Sequence, residues 1–130
     1  MGENSVITED HGRVRTITIN RPQALNSMNN EVFAGIKEAL AAAEIDNNVA
    51  VTIVTGAGRA FSAGQDLTEM QQGLEGETVV HQFPAMLQQL TNFRKPLIAA
   101  VNGLGVGIGM TFLAHCDLVF MASSARLRTP

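Results

Sequence analysis

Residues 14–20, VRTITIN, alternate Ile17 and Ile19 with polar neighbours, the two-residue period of a strand with one buried face. Arg21-Pro22 ends it, because Pro22 lacks a donor and biases Arg21 towards extended backbone. Beyond it, apolar residues recur at Val32, Phe33, Ile36, Leu40 and Ala43, intervals of three and four that predict an amphipathic helix with Asn29 or Asn30 as N-cap. VAVTIVTG (49–56) is a β-branched run ended by glycine and predicts a buried strand. Residues 78–94 predict a second helix, with Pro84 either kinking it or sitting in the first turn of its second half. LIAAVN (97–102) predicts a third strand, then a glycine segment, a helix through about His115, and a fourth strand over LVFMA (118–122). Strands alternating with helices predict an α/β fold with a largely parallel sheet. No internal repeat or linker divides residues 1–130, so one domain is expected.

Composition narrows the function classes. With 45% hydrophobic and 16% charged residues, the chain is expected to fold. A net charge of −3 with nine scattered basic residues gives no footprint for nucleic acid. The single Cys116 excludes an internal disulfide and fits a reducing compartment. The N-terminus is polar and acidic, unlike a signal peptide, and no apolar run approaches the roughly 18–20 residues of a membrane span. A soluble cytoplasmic protein is expected. No ligand spacing predicts a metal.

The chemistry concentrates in two glycine-rich loops. Residues 99–117, AAVNGLGVGIGMTFLAHCD, place glycine at 103, 105, 107 and 109, so no Cβ keeps a second backbone away. A dinucleotide fingerprint needs glycine at 108 or 110, which hold Ile108 and Met110. A Walker loop fails as well, for want of Gly-Lys-Ser/Thr. What remains is a helix start with open N–H groups around residues 107–109, one half of an oxyanion hole. The glycines alone equally permit plain strand-to-helix packing. The second loop, TGAGRAFSAGQDLTEM (55–70), also follows a strand and leads into a helix, with Asp66 and Glu69 spaced as a capping box. If their strands are neighbours, both loops lie at the carboxyl edge of the sheet, where ligands bind in such folds.

GRAFSAGQDL, KPLIAAVNGLGVGIGM and AHCDLVFMASSARL, in this order and after ITINRPQALNSMNNEV, resemble the crotonase, or enoyl-CoA hydratase/isomerase, superfamily over nearly the whole chain. The resemblance implies a spiral of ββα units, here the N-terminal core of a longer member without its C-terminal helices. It implies acyl-CoA thioester substrates, coenzyme A entering as part of the substrate with no separate cofactor, and a homotrimer or hexamer. It implies an enolate held by two backbone donors, the N–H of Gln65 and the N–H of Ile108. Contacts to the coenzyme are implied for Ala24, Leu25, Ala63, Asp66 and Leu67. An isoleucine at 108 is more similar to the Δ3,Δ2-enoyl-CoA isomerase branch than to the hydratases.

Moving a proton next to a thioester needs a positioned acid or base. The resemblance places one hydratase glutamate at position 111, which is Thr111, and another past Pro130. Isomerisation in fatty-acid metabolism is therefore the expected reaction, with hydration, or acyl-CoA binding without catalysis, as alternatives. Asp66 and Glu69 fit capping better than catalysis, and His81, His115, Cys116 and Asp117 fit structural roles. Glu31, Glu38 and Glu44 read as a solvated face. Arg21, Arg59 and Lys95 are candidates for phosphate contacts or plain surface charge, and Met70, Phe83, Met86 and Leu87 for an acyl pocket or plain core.

Overall fold

A computed structural model of the chain describes residues 4–74 and 81–129. A five-stranded sheet runs β1(Val6–His11), β2(Val14–Ile19), β3(Val51–Gly56), β5(Leu97–Val101) and β7(Leu118–Met121), in that spatial order. Only the β1–β2 hairpin is antiparallel; every later pairing is parallel. A second sheet holds three short parallel strands, β4(Ala60–Ser62), β6(Leu104–Val106) and β8(Leu127–Arg128). From β3 onward each strand of the large sheet is followed by one of the small sheet, so the chain winds as a spiral. This repeat in space has no sequence signal, because its small-sheet strands are two or three residues long.

The helices follow the expected periods. α1(Asn30–Ile45) starts on Asn29, whose side chain accepts from the Val32 N–H. Its carbonyl end is tied by Lys95, whose Nζ donates to the carbonyls of Ala43, Asp46 and Val49 at 2.7–2.8 Å. All three ammonium protons are thereby used. α2(Leu67–Leu74) and α3(Phe83–Thr91) follow, with Pro84 in the first turn of α3. Residues 78–80, expected to begin that helix, lie outside the described residues.

The core sits where α1 and α3 cover one face of the large sheet. In-register neighbours Ile17, Val54 and Ala99 lie on that face with no exposed surface, packed with Val32, Ile36, Leu40 and Met86. Met86 is therefore core rather than open pocket wall. Phe33 joins α1 to Phe83 of α3 with ring centroids 5.3 Å apart. Phe61 and Phe112 meet edge to face at 6.4 Å, packing β4 against the segment after β6. No helix among the described residues is long and apolar enough to cross a membrane.

Candidate active site

β4 and β6 are parallel neighbours, so the loops that follow them leave the same edge of the small sheet. The expectation had placed both loops directly after the large-sheet strands. In the structure each chain first makes a short strand, and the close approach of those strands needs the glycines. A Cβ on Gly109 would meet the carbonyl oxygen of Ser62, with Ser62 C and Cβ at 3.0 Å. A Cβ on Gly64 would lie 2.8 Å from the Val106 carbonyl oxygen. The loops are in backbone contact.

The first loop runs beside residues 25–28. Ala63 N–H donates to Leu25, Met28 N–H to Gly64 at 2.7 Å, and Asp66 N–H to Met28 at 3.0 Å. No peptide bond among the described residues is cis, so the carbonyl and N–H of one peptide point in opposite directions. The Gly64 carbonyl faces Met28, and the Gln65 N–H on the same peptide therefore faces away from that segment. It donates to no backbone acceptor among the described residues.

The second loop reaches the same result differently. Gly107, at φ 59 and ψ −121, is the N-cap of α4(Ile108–Thr111). Its carbonyl accepts from Met110 and Thr111, both at 2.9 Å, which points it into the helix and the Ile108 N–H outward. That amide is the first of a helix, one of the four without an internal partner. α4 has four residues and passes into a 3-10 turn, Phe112–His115, where one longer helix was expected. So short a helix contributes local N–H groups rather than a long macrodipole.

The segment beside the first loop carries strain. Leu25 and Asn26 are consecutive non-glycine residues at φ 52 and 56, each disfavoured by roughly 1–2 kcal/mol. Asn26, fully buried, holds them: Nδ2 donates to the carbonyls of Ala57 and Ala60, and Oδ1 accepts from the Arg21 N–H. Arg21 Nη1 donates to the carbonyl and hydroxyl oxygens of Ser27 and to Asp66 Oδ2, at 2.7, 3.1 and 3.1 Å. Asp66 Oδ1 accepts from the N–H groups of Thr68 and Glu69, capping α2. Burial raises the Asp66 pKa, but the Glu69 N–H, Arg21 and the Thr68 N–H outweigh it and hold the carboxyl below 3.8.

The capping box is half made. Glu69 does not reach back to the Asp66 N–H; its Oε2 accepts from the Asn30 N–H at 2.8 Å, at the start of α1. That placement favours a structural carboxylate over a base.

Backbone pairing sets Ala63 against Leu25 and Asp66 against Met28, with Ala24 and Leu67 next to them in sequence, and Gly64, beside Gln65, lies against Val106 and Gly107, which precedes Ile108. Thr111 is exposed one turn along from Ile108, and Leu67 is 78% exposed. Two phosphate candidates are corrected: Arg21 turns inward to Ser27 and Asp66, and Lys95 spends its charge on α1 at the opposite, amino edge of β5. Asp117, expected to fix a turn, instead ties the start of β7 to that of β5, its Oδ2 accepting from the Leu97 N–H. Burial, with Asp117 adding, pushes the Cys116 thiol up to about 11, so it stays protonated at neutral pH. His81 and His115 are exposed, and no group of three or more metal-ligating side chains occurs among the described residues. The Arg21–Asp66 pair escaped sequence reasoning; its nearest signal was Asn26, a residue type that tolerates left-handed backbone.

The family model described as "Enoyl-CoA hydratase/isomerase" matches residues 9–130. The chain is 37% identical to a 2,3-dehydroadipyl-CoA hydratase of Escherichia coli, over 98% of its own length and 50% of that protein's. It is 38% identical to a 1,2-epoxyphenylacetyl-CoA isomerase of the same organism, over 87% of its length and 45% of the relative's. Its fold is similar to the crystal structure of an enoyl-CoA hydratase from Mycobacterium marinum, with TM-score 0.92 and 47% identity, covering 97% of this chain and 61% of that one. Hydratase names predominate among the similar proteins. The chain spans about half the length of the curated relatives it matches.

Proposed function

The chain belongs to the enoyl-CoA hydratase/isomerase family, and on that premise we propose that it binds an enoyl-CoA with the thioester oxygen between the amides of Gln65 and Ile108. The observation that carries this reading is the pair of N–H groups, each turned outward by its own peptide's carbonyl, on two loops in contact. When the thioester becomes an enolate its oxygen gains negative charge. Donors already aimed at that oxygen stabilise the charged state more than the ground state, which lowers the barrier. Ala24, Leu25, Ala63 and Leu67 line the approach for the coenzyme, and Asp66 contributes backbone, since its carboxylate is engaged.

Hydration is the favoured reaction, supported by the hydratase names among the relatives. Water adds to the β-carbon, the enolate forms against the two amides, and the α-carbon takes up a proton. Thr111 can hydrogen-bond a water but does not act as a base near neutral pH, so a carboxylate must carry the proton. Isomerisation is the second reading, and Thr111 in place of a hydratase glutamate is what favours it. A trimer or hexamer belongs to the same proposal and is checked by light scattering.

Crotonyl-CoA and a 3-enoyl-CoA, incubated with the chain in D₂O and followed by proton NMR, separate these readings. A 3-hydroxyacyl product from the first supports hydration. Double-bond migration with deuterium uptake in the second supports isomerisation, and absence of both overturns catalysis by this chain. Ile108→Pro then tests the site, because proline is tolerated at the first helical position and lacks the amide proton, with Ile108→Ala as the control for the lost side chain. It should lower kcat by about 10²–10³ while Ile108→Ala costs less than about tenfold. Full activity in Ile108→Pro would falsify the assignment.

A further inference from the structure

An amide can serve an oxyanion only if its peptide plane is held, and the Gly64–Gln65 peptide has glycine on one side. Gly64 sits at φ +101, so its own backbone gives the plane little preference. The plane is set from outside, by Met28 N–H on the Gly64 carbonyl and by Asp66 N–H on the Met28 carbonyl. Met28 in turn follows the left-handed pair Leu25-Asn26, a backbone that relaxes unless tied.

Arg21 is the side chain that joins the two halves of this arrangement. One nitrogen, Nη1, bonds both oxygens of Ser27, next to Met28, and the carboxylate of Asp66, next to Gln65. The ion pair is sheltered, with 18% of the Arg21 and 15% of the Asp66 side chain exposed, so water screens it weakly. The other Asp66 oxygen is fixed on the first turn of α2, which anchors the carboxylate against rotation.

We infer that Arg21, acting through Asp66, is a positioning residue that holds the Gly64–Gln65 peptide with its N–H turned to the thioester oxygen. The inference rests on the proposed oxyanion hole and adds a side-chain determinant to it. Neither side chain touches the reacting atoms; both act through the backbone.

The test reads polarisation of the thioester separately from affinity. Butyryl-CoA labelled with ¹³C at the thioester carbonyl cannot be hydrated, and its C=O stretch falls when hydrogen bonds pull on the oxygen. Binding to the unaltered chain should lower that stretch. Asp66→Asn keeps an acceptor for the α2 cap but turns its amide towards Arg21 or leaves it unpaired. Arg21→Met keeps the stem and removes the donors. Both should lose most of the shift while Kd changes by less than about tenfold, and Arg21→Lys should restore part of it. Should Arg21→Met fail to fold by circular dichroism, Asp66→Asn and Arg21→Lys carry the same test. Folded variants with the full shift overturn the inference and leave the oxyanion hole standing. Shift and affinity lost in proportion also overturn it, as a general structural role. No shift in the unaltered chain overturns the oxyanion hole itself, and this inference with it.

Discussion

The loop at 63–66 and the loop at 107–109 each turn one amide outward, and they are built from different materials. The first is stitched by side chains: Arg21, Asn26, Ser62 and Asp66 make its bonds, and Ser62 Oγ reaches both the Asn26 carbonyl and the Gly64 N–H. The second has no side-chain hydrogen bond at its cap. It is held by a backbone bond, from the Gly107 N–H to the Arg128 carbonyl at 3.0 Å, and by space, since Gly109 lies against Ser62 with no room for a Cβ. One loop should therefore answer to charge and the other to volume.

The largest effect is expected where volume decides. Gly109→Ala drives a methyl group into the Ser62 carbonyl, which is backbone and cannot swing aside. It should lower unfolding free energy by about 3 kcal/mol or more, read by urea denaturation. Gly107→Ala meets nothing within 4 Å and suffers only from its backbone, φ 59 and ψ −121, a region that glycine alone adopts freely, so it should cost roughly 1–3 kcal/mol. Equal losses at 107 and 109 would show that strain rather than space holds the second loop.

Acid should separate the loops next. The Asp66 carboxyl is held below its ordinary 3.8, so its contribution is fully present above that value and is lost as pH falls through the lower folded-state value. Asp10, bonded to Arg15, and Asp46, bonded by the Asn48 N–H and Arg15, are also lowered, so the slope of the unaltered chain mixes at least these three groups. The difference between the unaltered chain and Asp66→Asn isolates one. Stability of the two should converge as pH falls below about 4, and Gly107→Ala should keep a constant offset across the same range. An Asp66→Asn deficit that stays constant with pH would remove the charge from the account of the first loop.

How much of this was legible from residues follows the same division. Strand β2 and helix α1 announce themselves by apolar positions at a period of two or of three and four, and β3 and β5 by continuous apolar runs. β1 does not, since five of its six residues are exposed, and the Gly12 turn was the one signal of its hairpin. β4, β6 and β8 are too short to show a period, yet they bring the two loops together. The amides of Gln65 and Ile108 were placed by likeness to a family, and their outward direction needed the hydrogen-bond pattern. The Asp66 cap could be read from spacing; the arginine 45 positions away that shares it could not.

The smallest expected effect concerns Glu69, a carboxylate near the first loop whose bond is to backbone. Its Oε2 accepts from the Asn30 N–H, so its charge sits at the positive start of α1. Glu69→Gln keeps an acceptor and removes the charge, which should cost about 0.3–1 kcal/mol in a urea melt. Turnover, where present, should change less than about threefold, whereas loss of a proton-transferring group costs 10²–10⁴. A collapse of turnover with stability nearly unchanged would make Glu69 the base. The first loop would then supply proton transfer as well as an amide, and the contrast between the loops would become one of chemistry rather than of construction.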